Sequence, residues 1–290
     1  MDEWKDRLVH LDHCRGMTWK GMYQILKDDP ELLKIYVRPA EYWTKVLALQ
    51  TPNLQNFLKD LHDTQLHQLT SIYEQERICC ISFLDQEYPY SFTNIYQQPW
   101  ILYAKGNINL LTHQRILAII GTRMPTQYGR DVLKLMVPDL VAAGISVVSG
   151  LAKGIDSMAH KIALASGGDC IAIIGGGLYH IYPQENISLS QMIMKKGLIL
   201  SEYPPTFRPK PWHFPMRNRL ISGLSRSILV VESKQKSGTF ITVERGLEQG
   251  KDIYAVPGSI FSELSAGTNA WIKEGARLVT HANDIISEWD

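Results

Sequence analysis

The chain has 290 residues, of which 45% are apolar, a formal net charge of +1 and four cysteines. That length exceeds a typical domain of about 100–150 residues and predicts one large domain with a smaller companion. The near-neutral total excludes a molecule coated in positive charge. Cys14, Cys79, Cys80 and Cys170 have no disulfide-framework spacing, and the charged start Met1-Asp2-Glu3-Trp4-Lys5 is not a secretory signal. No apolar run approaches the ~20 residues that cross a bilayer, so the expectation is a cytoplasmic protein that does not engage membrane.

Residues 1–72 read as a small helical domain. Apolar positions recur at three- and four-residue spacing (Leu54, Phe57, Leu58, Leu61), and breaks fall at Asp29-Pro30, Arg38-Pro39 and Thr51-Pro52. Over residues 1–75 nine basic residues face eleven acidic ones. His10, His13 and Cys14 lie close together, but no second cluster with ligand spacing completes a metal site.

Residues 73–290 read as an α/β domain. Ile78–Phe83 and Trp100–Tyr103 are strand-like, with the turn-rich Tyr88-Pro89-Tyr90-Ser91 between them. After Arg115, short apolar runs alternate with helical patterns. Strands are expected at Ile116–Ile120, Ser146–Ser149, Cys170–Ile174, Leu198–Ser201, Ile228–Val231 and Ile253–Val256. Helices are expected near Gln127–Ala142, Ile155–Ala165, Ile187–Lys195, Pro215–Leu220 and Phe240–Glu248. Strands apolar on both faces and separated by helices imply a doubly wound, mostly parallel sheet with helices on both sides. Ligands of such sheets bind beyond the carboxyl ends of the strands.

The post-strand loops are rich in small residues: Gly121-Thr122-Arg123, Ser149–Gly154, Gly175-Gly176-Gly177 and Ser233–Thr239. Backbone there can approach a phosphate closely, and a following helix start attracts anions. A dinucleotide cofactor is disfavoured, because no third glycine follows Gly175-Gly176-Gly177 in G-x-G-x-x-G register and the second strand ends in Ser149 instead of an acid. No cofactor is expected. A P-loop is absent, since Lys153 precedes its glycine. Asp156 and His160 stand four apart and could serve Ser149 as acid and base. With no G-x-S-x-G elbow, helix capping by Asp156 is the simpler role.

The local charge is more telling than the total. Between Arg208 and Lys236 there are seven basic residues (Arg208, Lys210, Arg217, Arg219, Arg226, Lys234, Lys236) and one acid, Glu232. Within this stretch prolines stiffen the loop, while Trp212 and Phe214 offer stacking faces. Basic groups beside aromatic rings suit single-stranded nucleic acid.

Several motifs carry a resemblance: Ala118–Arg123, Tyr128-Gly129, Val147–Asp156 with Ala159-His160, Gly175–Leu178, Tyr182-Pro183 and Ser201–Pro204. They continue as Phe214–Arg219, Ile221–Ser225, Ser237-Gly238-Thr239, Val256-Pro257-Gly258 and Gly267-Thr268-Asn269. In order and spacing these resemble the DprA/Smf (DNA-processing protein A) family. The resemblance implies an extended Rossmann-like domain that binds single-stranded DNA, forms a homodimer through that domain and delivers the RecA recombinase during natural transformation, without catalysis.

Carried over position by position, the strand-gripping residues are Gly121, Arg123, Ser149, Gly150, Lys153, Gly154, Arg217, Asn218 and Arg219. Gly238 and Thr239 belong to the same set of loops. Arg208, Lys210, Lys234 and Lys236 are added from the charge pattern. The N-terminal stretch weakly resembles the sterile-alpha-motif-like or helix-hairpin-helix-like domain that often precedes the Rossmann-like part in this family, and its Arg15–Gly21 segment lacks a G-x-G hairpin for DNA binding. With the sequence ending at Asp290, no C-terminal winged-helix domain is expected. The alternative is a nucleotide phosphoribohydrolase of the lysine-decarboxylase-like type, whose signature P-G-G-x-G-T-x-x-E compares with Gln235–Glu244. That stretch lacks the paired glycines and puts Glu244 two residues late.

Overall fold

The computed structural model describes residues 3–289. Five helices come first: α1 (Glu3–His13), α2 (Trp19–Asp28), α3 (Ala40–Leu47), α4 (Thr51–Asp63) and α5 (Leu66–Gln75). Leu8, Leu11, Met22, Ile25, Trp43, Phe57 and Leu61 form their shared interior. His10, His13 and Cys14 are used up inside it: His10 meets Tyr36, His13 meets Tyr73 and the Val9 carbonyl, and the Cys14 thiol donates to the His10 carbonyl.

Two strands follow, β1 (Cys79–Ser82) and β2 (Ile101–Gly106), and then the alternation begins. It runs β3 (Ile116–Ile120), α6 (Gln127–Ala142), β4 (Ser146–Ser149), α7 (Ile155–Ala165), β5 (Cys170–Ile173), α8 (Ile187–Lys196) and β6 (Leu198–Ser201). It continues with α9 (His213–Leu224), β7 (Ser227–Val230), α10 (Gly238–Glu248), β8 (Asp252–Ala255), α11 (Glu263–Lys273), β9 (Arg277–Leu278) and α12 (Asn283–Ile286). The sheet has the order β1-β2-β6-β5-β4-β3-β7-β8-β9. Pairing is parallel from β6 through to β9 and antiparallel at β1–β2 and β2–β6.

The strands alternate between two apolar layers, as the two-residue period demands. Leu117, Ile119, Val147, Ala172, Ile199, Leu229 and Tyr254 face one layer with side chains of α1, α6, α7 and α8. Ala118, Ile120, Val148, Ile171, Ile173, Leu200, Ile228 and Val230 face the other with Leu220, Ile221, Val243 and Trp271. The chain therefore winds outward from β3 to β6 with its helices on one face, then returns to β3's other side and winds through β7 and β8 with helices on the opposite face. The crevice above β3 and β7 is where the winding reverses.

The expected strands are all present, with ends shifted by a residue at most except at β2, which runs three residues beyond the expected Tyr103 to Gly106. The helix expected at Pro215–Leu220 is longer, from His213 to Leu224. Proline lacks an N–H and fits best in a first turn, whose N–H groups are unpaired anyway, which is where Pro215 stands in α9, whereas Pro138 lies inside α6. Beyond Val256 the sequence pattern predicts no element, and α11, β9 and α12 occupy that stretch. No helix is long and apolar enough to cross a membrane among the described residues.

The helices α1 and α2 pack on the β2 side of the sheet. The Tyr103 hydroxyl donates to the Asp12 carboxylate at 2.7 Å. The indole of Trp19 donates to the Gln98 carbonyl at 2.8 Å, and the ring stacks on Trp100 with centroids 5.3 Å apart.

Candidate nucleic-acid interface

A cavity of about 900 Å³ opens at the carboxyl ends of the central strands. Each wall comes from a different post-strand loop: Gly121, Thr122, Arg123 and Met124 after β3; Ala152 and Asp156 after β4; Tyr182 after β5; Pro209, Pro211 and Phe214 after β6; Lys234, Ser237, Gly238 and Thr239 after β7. A small recess beside it is bordered by Arg123, Gly150, Ala152, Lys153, Tyr182, Pro183, Phe214 and Arg217. The loops after β3 and β7 are tied together, since Thr122 N–H donates to the Glu232 carbonyl at 2.8 Å.

Two glycines let these loops close on one another. Gly154 has φ +80°, and a Cβ there would stand 2.3 Å from the Thr122 carbonyl oxygen. At Gly150 a Cβ would meet the Arg217 guanidinium at 2.6 Å. The backbone of the Ser149–Gly154 loop can therefore lie flat under that side chain.

Arg217 is the centre of the site and is only 5% exposed. One terminal amino group donates to the carbonyls of Gly150 (2.6 Å) and Ile173, and Nε donates to the Asn218 side chain at 3.2 Å. Its Nη2 makes no hydrogen bond to the described residues, and the side chain lines both cavity and recess. Burial pulls the guanidinium down to about 10, with Asp156 holding it up and Arg123 pressing it lower. It stays charged at neutral pH. Burial also lifts the Asp156 carboxyl above its ordinary range, against the pull of Arg217 and of the Gly150 N–H that it accepts at 3.0 Å.

The acids that could neutralise the basic loops are occupied. Glu232, the one acid of the Arg208–Lys236 stretch, is buried and accepts from Thr126 N–H at 2.9 Å and from the Thr126 hydroxyl at 2.5 Å, at the start of α6. Lys153 pairs with Glu185, and Lys234 with Glu263 at 2.6 Å, but all four side chains are more than half exposed. Exposed pairs of this kind contribute about 0–1 kcal/mol, so both lysines can exchange a carboxylate for a phosphate at little cost.

Of the residues expected to grip a strand, Gly121, Arg123, Gly150, Lys153, Arg217, Asn218, Lys234, Gly238 and Thr239 border the cavity or its recess. Arg208 and Lys210 flank the lining residue Pro209, exposed at the rim, and the Lys210 ammonium lies 5.3 Å over the Trp212 ring. Gly154 supports the loop from behind, and Lys236 is exposed outside the lining.

Two expectations need correction. Ser149 is fully buried with its hydroxyl donating to the Ile119 carbonyl at 2.7 Å, so it faces neither strand nor nucleophilic chemistry. Arg219, only 3% exposed, is bonded internally to Glu202 at 2.5 Å and to the Gln97 carbonyl at 2.8 Å. Two residues along a helix turn the side chain by about 200°, so Arg217 and Arg219 cannot face the same cavity.

Sequence reading missed Met124, Tyr182, Ile221 and Thr242 as lining residues. Thr242 was discoverable, because it lies four residues after Gly238 on one helix face. Glu244 of α10 is exposed and is not among the lining residues, which removes the acid that the phosphoribohydrolase alternative requires. His160 is fully buried beside the Ser149 backbone, held neutral by burial with its pKa depressed to about 3. No group of three or more metal-ligating side chains occurs among the described residues.

Residues 79–290 match the family described as DNA recombination-mediator protein A. The chain belongs to this family. A family relative, the DNA processing protein DprA of Bacillus subtilis, is 42% identical over 224 residues, covering 77% of this chain and 75% of its own. The X-ray structure of DNA processing protein A from Streptococcus pneumoniae superposes with a TM-score of 0.82 at 34% identity, covering 98% of this chain and 97% of that one. A Helicobacter pylori DNA processing protein A, solved for its single-stranded DNA binding mode, superposes with a TM-score of 0.67 at 30% identity over 73% of this chain and 95% of its own. The family match covers the sheet and every cavity-lining residue.

Proposed function

We propose that the cavity holds single-stranded DNA, and that the protein shields incoming strands and loads the RecA recombinase onto them during natural transformation. One observation carries the reading. Arg123, Lys153 and Lys234 from three post-strand loops and Arg217 from α9 converge on the cavity and its recess, which also present Tyr182 and Phe214 with rings 5.6 Å apart. Cations beside stacking faces, with no nucleophile–base pair among them, suit binding over cleavage. The Helicobacter pylori relative, described for its single-stranded DNA binding mode, supports the same ligand.

The test is a gel shift with single- and double-stranded oligonucleotides, repeated with RecA present. Single strands are retained, and RecA assembles faster on the retained strand. Equal retention of duplex, or no effect on RecA, removes the corresponding half of the reading. Each neutralised phosphate of a single strand contributes about −0.7 to the slope of log K against log salt, so three or four contacts give a slope of about −2 to −3. Arg123→Ala with Lys153→Ala lowers affinity and shortens that slope by one to two contacts, about −0.7 to −1.4.

We extend the proposal to a cytoplasmic homodimer formed through the Rossmann-like part, consistent with free cysteines and with the exposed apolar pair Ile260 and Phe261 after β8, the latter 93% exposed. We also propose the division into a helical domain (1–72) and a Rossmann-like domain (73–290). The end of α5 at Gln75 and the start of β1 at Cys79 support a joint close to that boundary.

A further inference from the structure

The cavity is not the whole of the carboxyl edge. Because β2 runs antiparallel to β6, with Tyr103 opposite Ser201, the amino end of β2 lies at the edge where β6 ends. Trp100, just before β2, therefore stands on the same side of the sheet as the cavity loops. β2 is three places from β4 in the sheet order, a span of about 14 Å at the usual strand spacing. About four stacked nucleotides would cover that distance.

On this edge three aromatic rings form a compact cluster, in which Tyr23 also meets Trp100 with centroids 6.5 Å apart. Trp100 and Trp19 have centroids 5.3 Å apart at 24°, and Trp19 and Tyr23 have centroids 5.7 Å apart at 8°. The two indoles are fixed by hydrogen bonds, from Trp19 Nε1 to the Gln98 carbonyl at 2.8 Å and from Trp100 Nε1 to the Trp19 carbonyl at 3.3 Å. Tyr23 packs on both Trp19 and Trp100 and is still 44% exposed. Lys20, on the same helix, is exposed and has no carboxylate partner among the described residues. The loop after β6, the strand between β2 and β5 in the sheet, carries Arg208, Lys210 and the 62% exposed Trp212.

We propose that a single strand leaving the cavity follows this edge past Lys210 and Trp212 and packs a base against the exposed part of the Tyr23 ring, with a phosphate beside Lys20. This rests on reading the cavity as a single-strand site. A base stacking on a ring already immobilised by its neighbours gives up little further side-chain freedom. Residues 1–75 carry no basic excess as a whole, so the contact is confined to the Lys20–Tyr23 end of α2 and fits a strand already held elsewhere.

The experiment uses the full chain and fluorescence anisotropy with labelled oligothymidylates of about 5 and about 15 nucleotides, the range of site sizes for such proteins. Tyr23→Ala is expected to weaken the longer probe about tenfold, the effect of losing one stacked base, and to leave the shorter probe unchanged. Tyr23→Phe keeps wild-type affinity, and Lys20→Gln weakens the longer probe alone. The inference is overturned if Tyr23→Ala and Lys20→Gln bind the longer probe like wild type while Arg123→Ala loses both probes, which leaves the cavity reading standing. Wild-type protein that retains neither probe overturns both. Lys20 is exposed, so its substitution reads out binding even if the tyrosine variant fails to fold.

Discussion

Arg217 and Arg219 are two residues apart and chemically identical, yet their surroundings give them different work. Arg217 donates to the Gly150 carbonyl, to the Ile173 carbonyl at the end of β5 and to the neighbouring Asn218 side chain, and keeps one amino group for the cavity. Arg219 is bound to Glu202, whose carboxyl burial raises above its ordinary range while Arg219 draws it back. Removing one member of a buried pair strands the other, at about 3–5 kcal/mol, whereas replacing both by apolar residues of similar volume is close to neutral. Arg219→Met is therefore expected to be severely destabilised in chemical denaturation, and Arg219→Met with Glu202→Met to recover more than half of the loss. Additive losses in the double variant would show that the pair does not act as a unit. The exposed Arg123 and Lys153 are for this reason better probes of DNA affinity than either buried arginine.

Among the elements, the strands and connecting helices were readable from apolar periodicity, because a parallel sheet covered on both faces leaves continuous apolar runs such as Ile116–Ile120. The loops between them were readable as anion-facing from their glycines. How closely they pack was not. Gly154 shows the difference: its φ of +80°, and the Thr122 carbonyl oxygen only 2.3 Å from where a Cβ would stand, leave no room for a side chain, while Gly238 has nothing within 4 Å. Forcing a non-glycine into such backbone costs about 1–3 kcal/mol. At about 2–4 °C per kcal/mol for a large domain, Gly154→Ala is expected to lower Tm by roughly 2–12 °C, with Gly238→Ala leaving it unchanged. Calorimetry on the two variants checks this, and equal Tm values would mean that the loop relaxes freely.

At the scale of the whole molecule, the joint between the N-terminal helices and the sheet contains ionisable groups out of water. Burial raises the Asp12 carboxyl to about 7, partly offset by the Tyr103 hydrogen bond, and lowers the His13 imidazole to about 4. The signs oppose. Folded Asp12 binds a proton more tightly than the unfolded chain does, so its contribution is full below about pH 4 and is lost as pH rises toward 7. Folded His13 binds a proton less tightly, so its contribution grows from about pH 4 to about 6.5. Asp12→Asn keeps an acceptor for Tyr103 and removes only the first term. Denaturation at a series of pH values is expected to show a steeper gain of stability between pH 4 and 7 in the variant than in wild type; parallel curves would place the Asp12 carboxylate in contact with water.

The sequence by itself determined the α/β alternation, the family and the location of the basic, glycine-rich loops, because these depend on local period, on residue type and on motif order. Only the tertiary structure decided which basic residues share a cavity. That choice depends on strand order, which brings the loops after β3 and β7 together, and on burial, which ties Arg219 and Ser149 to internal partners. The same topology sets the ring cluster of Trp100, Trp19 and Tyr23 on the sheet edge where the cavity opens, since the antiparallel pairing of β2 with β6 brings the amino end of β2 to that edge. A side chain's charge is written in one position of the chain, but the direction in which it can act is set by neighbours far along it, as Gln97 is from Arg219 at a separation of 122 residues.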